Sequence, residues 1–179
     1  QTAVILWTRI TPETPGPVPV LWNIARDAAM KDVVKTGTFT TGPERDYTVK
    51  VDVDGLEAGQ VYYFWFSAGQ AGSPVGVTRT LPASGMADYR MAVVSCSNFP
   101  FGFFNVYGRV AARPDLNAVL HLGDYIYEYP NGRYGDRAEG DGSPLGRASI
   151  PDRELIHLED YRARYGQYRE DPDLQAAHR

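Results

Sequence analysis

The chain has 179 residues, a net charge of −4 and a hydrophobic fraction of 43%, which are ordinary values for one or two globular domains. Lys and Arg form no long basic run, and no apolar run approaches the roughly 18 residues of a membrane span. We therefore expect neither a nucleic-acid-binding surface nor a transmembrane segment. Cys96 is the single cysteine, so an internal disulfide is excluded.

Residues 1–83 are predicted to form an all-β domain. Short runs of β-branched and aromatic residues alternate there with turn residues such as Gly42-Pro43 and Asp54-Gly55. The predicted strands are 4–9, 20–25, 36–40, 47–53, 62–67 and 78–81. Many short strands at this spacing indicate a β-sandwich.

Two local patterns refine this prediction. In residues 47–53 the alternation places Val49, Val51 and Val53 on one face, together with Tyr47, as a half-buried strand requires. Residues 53–64 resemble the corner of a fibronectin type III-like domain, where a Leu fills the turn and a Tyr begins the next strand. Such modules are commonly scaffolds, and this region carries no group of reactive side chains.

The residues that follow, 84–179, have a different pattern. Residues 82–85 form a short linker, and 89–94 and 118–122 are nearly continuous apolar strands, as in a parallel sheet covered on both faces. A helix is predicted over 103–113, ending before Pro114. A strand–helix–strand unit with a right-handed crossover would bring Cys96 and Asp124 to the same end of adjacent strands, where α/β folds bind ligands.

The remaining chain is predicted to contain a loop and two helices. Residues 130–150 form a long irregular loop, a type that is uncommon unless it is functional or disordered. A helix is predicted to begin at Asp152 as its N-cap, with an apolar face made by Leu155, Leu158, Tyr161 and Tyr165. Residues 173–178 form a further helix after Asp171-Pro172.

Cys96, Asp124 and Tyr127 are the candidate metal ligands. Phenolate and thiolate suit Fe(III), whereas carboxylate and carbonyl oxygens suit Ca²⁺ or Mg²⁺. From the residues alone other interpretations stay open. An Asp after Gly is commonly a turn former or helix cap, a Tyr is commonly a packing residue, and a lone Cys is commonly a small buried hydrophobe.

The run His121-Leu122-Gly123-Asp124-Tyr125-Ile126-Tyr127-Glu128-Tyr129 resembles the PhoD-type alkaline phosphatases, a phosphodiesterase-like branch of the metallophosphatase superfamily. The other matching segments are 4–9, 94–98, 102–107, 160–165 and 171–175. The resemblance implies an N-terminal β-sandwich followed by the start of an α/β metallophosphatase domain. It also implies hydrolysis of phosphate monoesters and diesters by a metal-activated water.

The resemblance implies a role for several residues. Asp124 would bridge two metals, Tyr127 and Cys96 would ligate iron, and the remaining metal sites would hold Ca²⁺. None of these residues is expected to transfer a proton. Asn98 would either face the substrate or cap the following turn. Export by the twin-arginine route is typical of the family, which implies a secreted or periplasmic enzyme, although this chain carries no signal segment.

The family pattern also has parts that this sequence lacks, namely a Trp-Asp-Asp-His-Glu run and a Gly-Asn-His element. His121, His157 and His178 are isolated and are predicted to be structural. We therefore expect the chain to be the N-terminal portion of a longer enzyme, whose C-terminal remainder supplies the other metal ligands. The alternative is a β-sandwich binding module joined to an incomplete, inactive α/β domain.

Overall fold

The computed structural model describes residues 1–85, 88–134 and 145–179. Two compact units are present: the described residues of 1–87 together with Arg179, and those of Asp88–His178. Of the predicted loop 130–150, residues 135–144 lie outside the described residues.

The first unit contains two antiparallel sheets. β1 (Val4–Arg9) pairs with β4 (Thr48–Val53) in one sheet. In the other, β2 (Val18–Ala25) lies between β3 (Val33–Thr41) and β5 (Val61–Ala68), and β5 also pairs with β6 (Ala71–Gly72) and β7 (Gly76–Arg79). Each of the six predicted strands overlaps an observed strand, whereas β6 has no counterpart in the prediction.

Both sheets contribute to one hydrophobic core. Its buried members are Val4, Leu6, Val20, Ile24, Val49, Val53, Leu56, Tyr62 and Phe66. The predicted alternation of β4 is confirmed for the valines, because Val49 and Val53 are buried and Val51 packs against the same core, whereas Tyr47 lies outside the strand with φ +54°. Each buried side chain of this size contributes about 1.5–3 kcal/mol of hydrophobic free energy, so this core holds the two sheets together.

The corner before β5 is closed by hydrogen bonds. The hydroxyl of Tyr62, which is buried, accepts the backbone N–H of Glu57 at 3.0 Å. Thr80 donates its hydroxyl to the carbonyl of Glu57 at 2.7 Å and accepts the N–H of Gln60 at 2.9 Å. Leu56 fills the turn as predicted. Buried polar groups at this corner therefore have partners.

The second unit begins with a strand–helix–strand arrangement. β8 (Met91–Val94) and β9 (Ala118–His121) are parallel, and α1 (Asn105–Ala111) connects them. The predicted order of elements is confirmed, although α1 is shorter at both ends than the prediction. Two helices follow, α2 (Leu158–Tyr168) and α3 (Pro172–Ala177).

The prediction that β8 and β9 are buried on both faces is wrong for this chain. None of their residues is buried, and Val93 and Leu120 have exposed fractions of 55% and 45%. The physical reason is that the described residues cover only one face of this pair: Val94 packs against the core of the second unit, whereas Met91 and Val93 on the other face are exposed. The exposed face lacks the covering layer that a parallel sheet normally has.

The start of α2 also differs from the prediction. Asp152 is not the N-cap, because its carboxylate accepts the N–H of Asn131 at 2.8 Å instead. His157 occupies the N-cap position, and the side chain of Asp160 accepts the N–H of His157 at 3.2 Å in a capping box. The helix therefore begins six residues later than Asp152, at Leu158.

The buried face of α2 is polar, so the predicted apolar face is wrong for Leu158 and Tyr161, whereas Tyr165 is half-buried and Leu155, which precedes the helix, is buried. Leu158 is 63% exposed and Tyr161 is also exposed. Asp160, Arg164 and Tyr168, spaced four residues apart along the helix, are buried instead. Their polar groups bond to loops elsewhere in the unit, so this face is held by hydrogen bonds as well as by packing.

α3 is the last element and agrees with its prediction. The carboxylate of Asp171 caps it by accepting the N–H groups of Asp173 and Leu174 at 3.0 and 3.2 Å. Leu174 packs with Phe104, Tyr107 and Tyr168 in the core of the second unit. No helix in the described part of the chain has the length and hydrophobicity needed to span a membrane.

Candidate metal centre

Cys96 and Asp124 lie side by side where β8 and β9 end. The N–H of Cys96 donates to the carbonyl of Gly123 at 3.2 Å, and the N–H of Ser97 donates to the carbonyl of Asp124 at 2.8 Å. These bonds extend the pairing of the two parallel strands into the turns that follow them. The predicted proximity of the two residues is therefore confirmed.

Both residues adopt the left-handed backbone conformation. The φ angle is +61° at Cys96 and +51° at Asp124, and Gly123 between the strand and Asp124 has φ +122°. A left-handed L-residue costs roughly 1–2 kcal/mol, somewhat less for Asp. Backbone strain that persists at two adjacent turns is typical of functional sites, where the surrounding structure imposes it.

The three candidate ligands contact one another. Sγ of Cys96 lies 3.6 Å from Oδ2 of Asp124, and the hydroxyl of Tyr127 donates to the same oxygen at 3.3 Å. Burial raises the pKa of Tyr127 above its usual value, and the hydrogen bond to Cys96 and the charge of Asp124 act in the same direction. Cys96 and Asp124 are exposed to solvent, so the cluster is open on one side.

The chemistry of this donor set fits part of a metal coordination shell. A thiol, a carboxylate and a phenol converge, and these are ligand types of ferric iron, with the carboxylate also suited to calcium. In residues 1–85, 88–134 and 145–179, His, Cys, Asp and Glu do not form a group of three that could hold a metal ion. Tyr127 is therefore needed as the third donor.

His121 has the structural role that its sequence context predicts. Its Nδ1 accepts the N–H of Gly123 at 3.2 Å, so Nε2 carries the proton in the neutral ring. Nε2 lies 3.0 Å from both the Ser97 and the Tyr107 hydroxyl groups, which also contact each other. Burial lowers the pKa of His121. The neutral ring thus ties the β8 turn to the β9 turn and cannot act as a base toward Ser97.

Asn98 lies beside a cavity of about 360 Å³ that Cys96 also lines. Its side-chain amide donates to the carbonyl of Tyr134 at 3.4 Å, and its own carbonyl accepts the N–H of Phe101 at 3.2 Å. The predicted turn after Asn98 is therefore present. Apolar side chains, among them Phe101 and Phe103, also line this cavity.

Two buried polar side chains of α2, Arg164 and Tyr168, contact the site segments, and neither was predicted to do so. The guanidinium of Arg164 donates to carbonyls of the loop that carries Tyr127, and burial lowers the pKa of Arg164. The hydroxyl of Tyr168 accepts the N–H of Phe99 at 3.1 Å. The spacing of Asp160, Arg164 and Tyr168 is the sequence signal that could have identified this helix face.

Arg147 anchors the segment after Asn98. Its guanidinium carbon lies 3.7 Å from the ring centroid of Phe99, and its Nε–H donates to the carbonyl of Phe99 at 2.9 Å. It also forms an ion pair with Asp171 at 3.0 Å, in which both side chains are nearly enclosed. The segment that leads from Cys96 to α1 is therefore fixed to α3.

The fold and this site together define a protein that carries candidate metal ligands at the ends of two parallel strands. Its sequence is similar to that of a known family. The PhoD-like phosphatase family matches over residues 91–179, and the N-terminal domain of the PhoD-like phosphatases matches over residues 1–82. Alkaline phosphatase D of Bacillus subtilis (strain 168) is 39% identical over 185 aligned positions, which cover 98% of this chain and 30% of that protein.

A solved structure of PhoD has a TM-score of 0.88 and 39% identity, covering 99% of this chain and 34% of that chain. The chain belongs to the PhoD-like phosphatase family. It spans about a third or less of the length of the relatives that it matches.

Proposed function

We propose that this chain supplies part of the active site of a metal-dependent phosphoesterase that hydrolyses phosphate monoesters and diesters. The observation that carries the proposal is the convergence of Cys96, Asp124 and Tyr127 at the ends of two parallel strands. Membership of the PhoD-like phosphatase family supports it. The alkaline phosphatase name of the Bacillus subtilis relative supports a hydrolase acting on phosphoesters.

Each residue has a role in this proposal. Asp124 would be shared between two metals, Cys96 and Tyr127 would hold Fe(III), and Ca²⁺ would occupy the remaining sites. Bound metals would supply an activated water and positive charge for the phosphoryl oxygens. Asn98 binds the substrate from the cavity that it shares with Cys96. None of these side chains transfers a proton.

The domain assignment belongs to the same proposal. Residues 1–83 form a fibronectin type III-like β-sandwich, which the contact between Tyr62 and Glu57 at the corner supports. Residues 84–179 form the first part of an α/β metallophosphatase domain, which the parallel pairing of β8 and β9 supports. The enzyme acts outside the cytoplasm, as a secreted or periplasmic protein.

A further segment of the same enzyme completes the site. The exposed apolar side chains of β8 and β9, such as Val93 and Leu120, need a covering layer. Three donors are also fewer than a ferric or calcium ion takes. We infer that the C-terminal remainder both covers this sheet and supplies the other ligands.

Metal analysis of the intact protein, together with turnover of p-nitrophenyl phosphate, tests the proposal. We expect bound iron and calcium, and turnover that a chelator abolishes. Absence of both metals combined with chelator-insensitive turnover would overturn it.

Asp124→Ala should lower the phosphatase activity at least about 100-fold, because the loss of a ligand shared by two metals weakens the binding of both. Even residues that only contact a metal ligand commonly change metal affinity by about 10- to 100-fold. Asp115→Ala is the matched control, since Asp115 is a half-buried carboxylate that pairs with Arg113 at 2.7 Å. It should keep activity near the wild-type rate. Equal activity of the two variants would contradict the role of Asp124.

The second candidate function is a binding module with an inactive α/β domain. The absence of a three-member His, Cys, Asp or Glu group within the described ranges favours it. The 179-residue chain incubated with p-nitrophenyl phosphate and calcium separates the two candidates. Turnover by this chain would refute the binding-module interpretation, and activity restored only with a longer chain would support the phosphoesterase.

A further inference from the structure

Arg164 lies on the buried face of α2, next to the loop that carries Tyr127. Its exposed fraction is 1%. All four of its described hydrogen bonds go to main-chain carbonyl oxygens. Nη1 donates to Tyr127 at 2.5 Å and to Tyr129 at 3.2 Å, Nη2 to Pro151 at 2.8 Å, and Nε to Ile150 at 3.1 Å.

The bonds to Tyr127 and Tyr129 fix the main chain on both sides of Glu128. The carbonyl of Glu128 itself accepts the N–H of Leu155 at 2.9 Å. Three consecutive carbonyls are therefore held, two by Arg164 of α2 and one by Leu155 in the segment before α2. This restraint sets the direction in which the Tyr127 side chain leaves the backbone, toward the carboxylate of Asp124 at 3.3 Å.

Packing alone does not explain an arginine at this position. Burying a guanidinium is costly unless its donors are satisfied, and an apolar side chain of similar volume commonly stabilises a core at least as well. The guanidinium offers five N–H donors in a rigid plane, which lets one side chain bond several carbonyls at fixed angles. Its contribution here is therefore orientation of the 127–129 backbone.

We propose that Arg164 is a positioning residue for Tyr127, which it holds by its main-chain carbonyl in the orientation that a metal ligand requires. The inference rests on the proposed function only in assigning Tyr127 as a ligand. Because Arg164 acts through Tyr127, its effect on metal binding must disappear once the Tyr127 hydroxyl is removed.

Arg164→Lys is the informative substitution. Lysine keeps the positive charge and the length of the side chain, but its ammonium group cannot reproduce the planar fork of donors. Arg162→Lys is the matched control, because Arg162 lies on the same helix about 200° around its axis. Circular dichroism and thermal unfolding verify that each variant folds.

The first readout is Fe(III) affinity of the intact protein, measured by competition with citrate. We expect Arg164→Lys to weaken binding about 10- to 100-fold, the usual effect of losing a contact that orients a ligand. In a Tyr127→Phe background the same substitution should have no further effect. An equal loss in both backgrounds would overturn the proposal, because it would show that Arg164 acts on the fold in general.

The second readout needs no metal and so separates this inference from the proposed function. 3-Fluorotyrosine placed at position 127 of the metal-free protein should give one narrow ¹⁹F resonance. Arg164→Lys should shift or split it, whereas Arg162→Lys should leave it unchanged. An unchanged resonance in Arg164→Lys would overturn the inference. A wild-type protein that binds no iron but shows the expected ¹⁹F change would count against the proposed function alone.

If Arg164→Lys fails to fold, the wild-type protein provides the decisive measurement. With ¹⁵N-labelled arginine and ¹³C-labelled tyrosine, a coupling across the hydrogen bond should connect the Arg164 guanidinium to the carbonyl of Tyr127. Observation of this coupling supports the positioning contact. Its absence in the folded wild type overturns it.

Discussion

The thiol of Cys96 lies 3.6 Å from the carboxylate of Asp124, although 28 residues separate them along the chain. Both residues are held in the left-handed conformation, and backbone hydrogen bonds join the turn of each to the turn of the other. Local backbone strain therefore accompanies the close approach of two candidate metal ligands. Substitutions that relieve the backbone strain at these positions should therefore increase stability while removing a candidate metal ligand.

The strain at Cys96 should be measurable as a difference in stability between two variants at this position. Cys96→Gly should have a free energy of unfolding about 1 kcal/mol higher than Cys96→Ala, because only glycine adopts φ +61° without a steric penalty. Urea unfolding of the metal-free variants measures the difference. At the neighbouring residue Ser95, whose φ is not positive, alanine should be equal to or better than glycine. The same order at both positions would contradict the strain argument.

Asn98 should affect substrate affinity rather than metal content. If its amide binds a phosphoryl oxygen, Asn98→Ala should raise KM for p-nitrophenyl phosphate about 10- to 100-fold, since a hydrogen bond to a charged group contributes about 1.5–3 kcal/mol. Steady-state kinetics with metal analysis of the same samples measure both quantities. Asn105→Ala, an exposed amide at the start of α1, is the control. An unchanged KM would leave Asn98 as a turn residue only.

The buried carboxylate of Asp160 makes stability depend on pH. The hydrogen bond from Arg153 lowers the pKa of Asp160 below its usual value, so the folded protein holds fewer protons there than the unfolded chain does. Its stabilising contribution is present above the unfolded pKa of about 3.9 and is lost as the pH falls through the folded-state pKa. We expect the free energy of unfolding to decrease below about pH 5 on this account.

Urea unfolding between neutral and acidic pH tests this dependence. Asp160→Asn should have a weaker pH dependence than the wild type, because the titrating group is gone. Arg153→Met should weaken the dependence as well, because the group that lowers the pKa has been removed. Parallel curves for all three proteins would show that the pair does not contribute.

Arg147 should contribute to stability through its shape as well as its charge. Arg147→Lys keeps the charge beside Asp171 but loses the stacking on Phe99 and the Nε–H bond to its carbonyl. We expect the free energy of unfolding to fall by about 2 kcal/mol, the sum of one cation–π contact and one hydrogen bond. Arg109→Lys, exposed on α1, should change it by less than about 0.5 kcal/mol. Similar values for the two variants would count against the role of Arg147.

Two helical glycines should respond oppositely to alanine. At Gly166 in α2 an added Cβ meets no atom within 4 Å, so Gly166→Ala should stabilise the helix by about 1 kcal/mol. At Gly108 in α1 the Cβ would lie 2.6 Å from Oδ1 of Asp173, so Gly108→Ala must displace that carboxylate and should lose this gain. Thermal unfolding measures both. An equal increase in stability for Gly108→Ala would show that the carboxylate of Asp173 can move away from α1 at little cost in free energy.

Local patterns were sufficient to predict the elements that bring the candidate site together. The alternation of Val49 and Val53 reports a strand with one buried face, since neighbouring side chains point to opposite sides. The proximity of Cys96 and Asp124 follows from a strand–helix–strand order, because parallel neighbours end at the same edge. These features depend on residues close in sequence or on a general rule of topology.

The errors arise where the partner is distant. The apolar residues Leu158 and Tyr161 suggested one face of α2, but Arg164 turns the other face inward by bonding carbonyls 35 and 37 residues away. Main-chain acceptors are the same for every residue type, so the sequence around Tyr127 and Tyr129 does not show that their carbonyls accept hydrogen bonds from Arg164. The exposure of Val93 has a similar origin, because the pattern of a strand does not say which segment covers it.

The pairing of β8 with β9 continues past both strands through three successive hydrogen bonds. Val94 accepts from Leu122 at 2.9 Å, before the bonds from Cys96 to Gly123 and from Ser97 to Asp124. Neither turn can therefore shift along the strand direction without carrying the other with it. Fluctuations that separate the thiol from the carboxylate must first open this ladder, so the lifetime of a bound ion and the hydrogen-exchange protection of the Cys96 and Ser97 amides should rise and fall together.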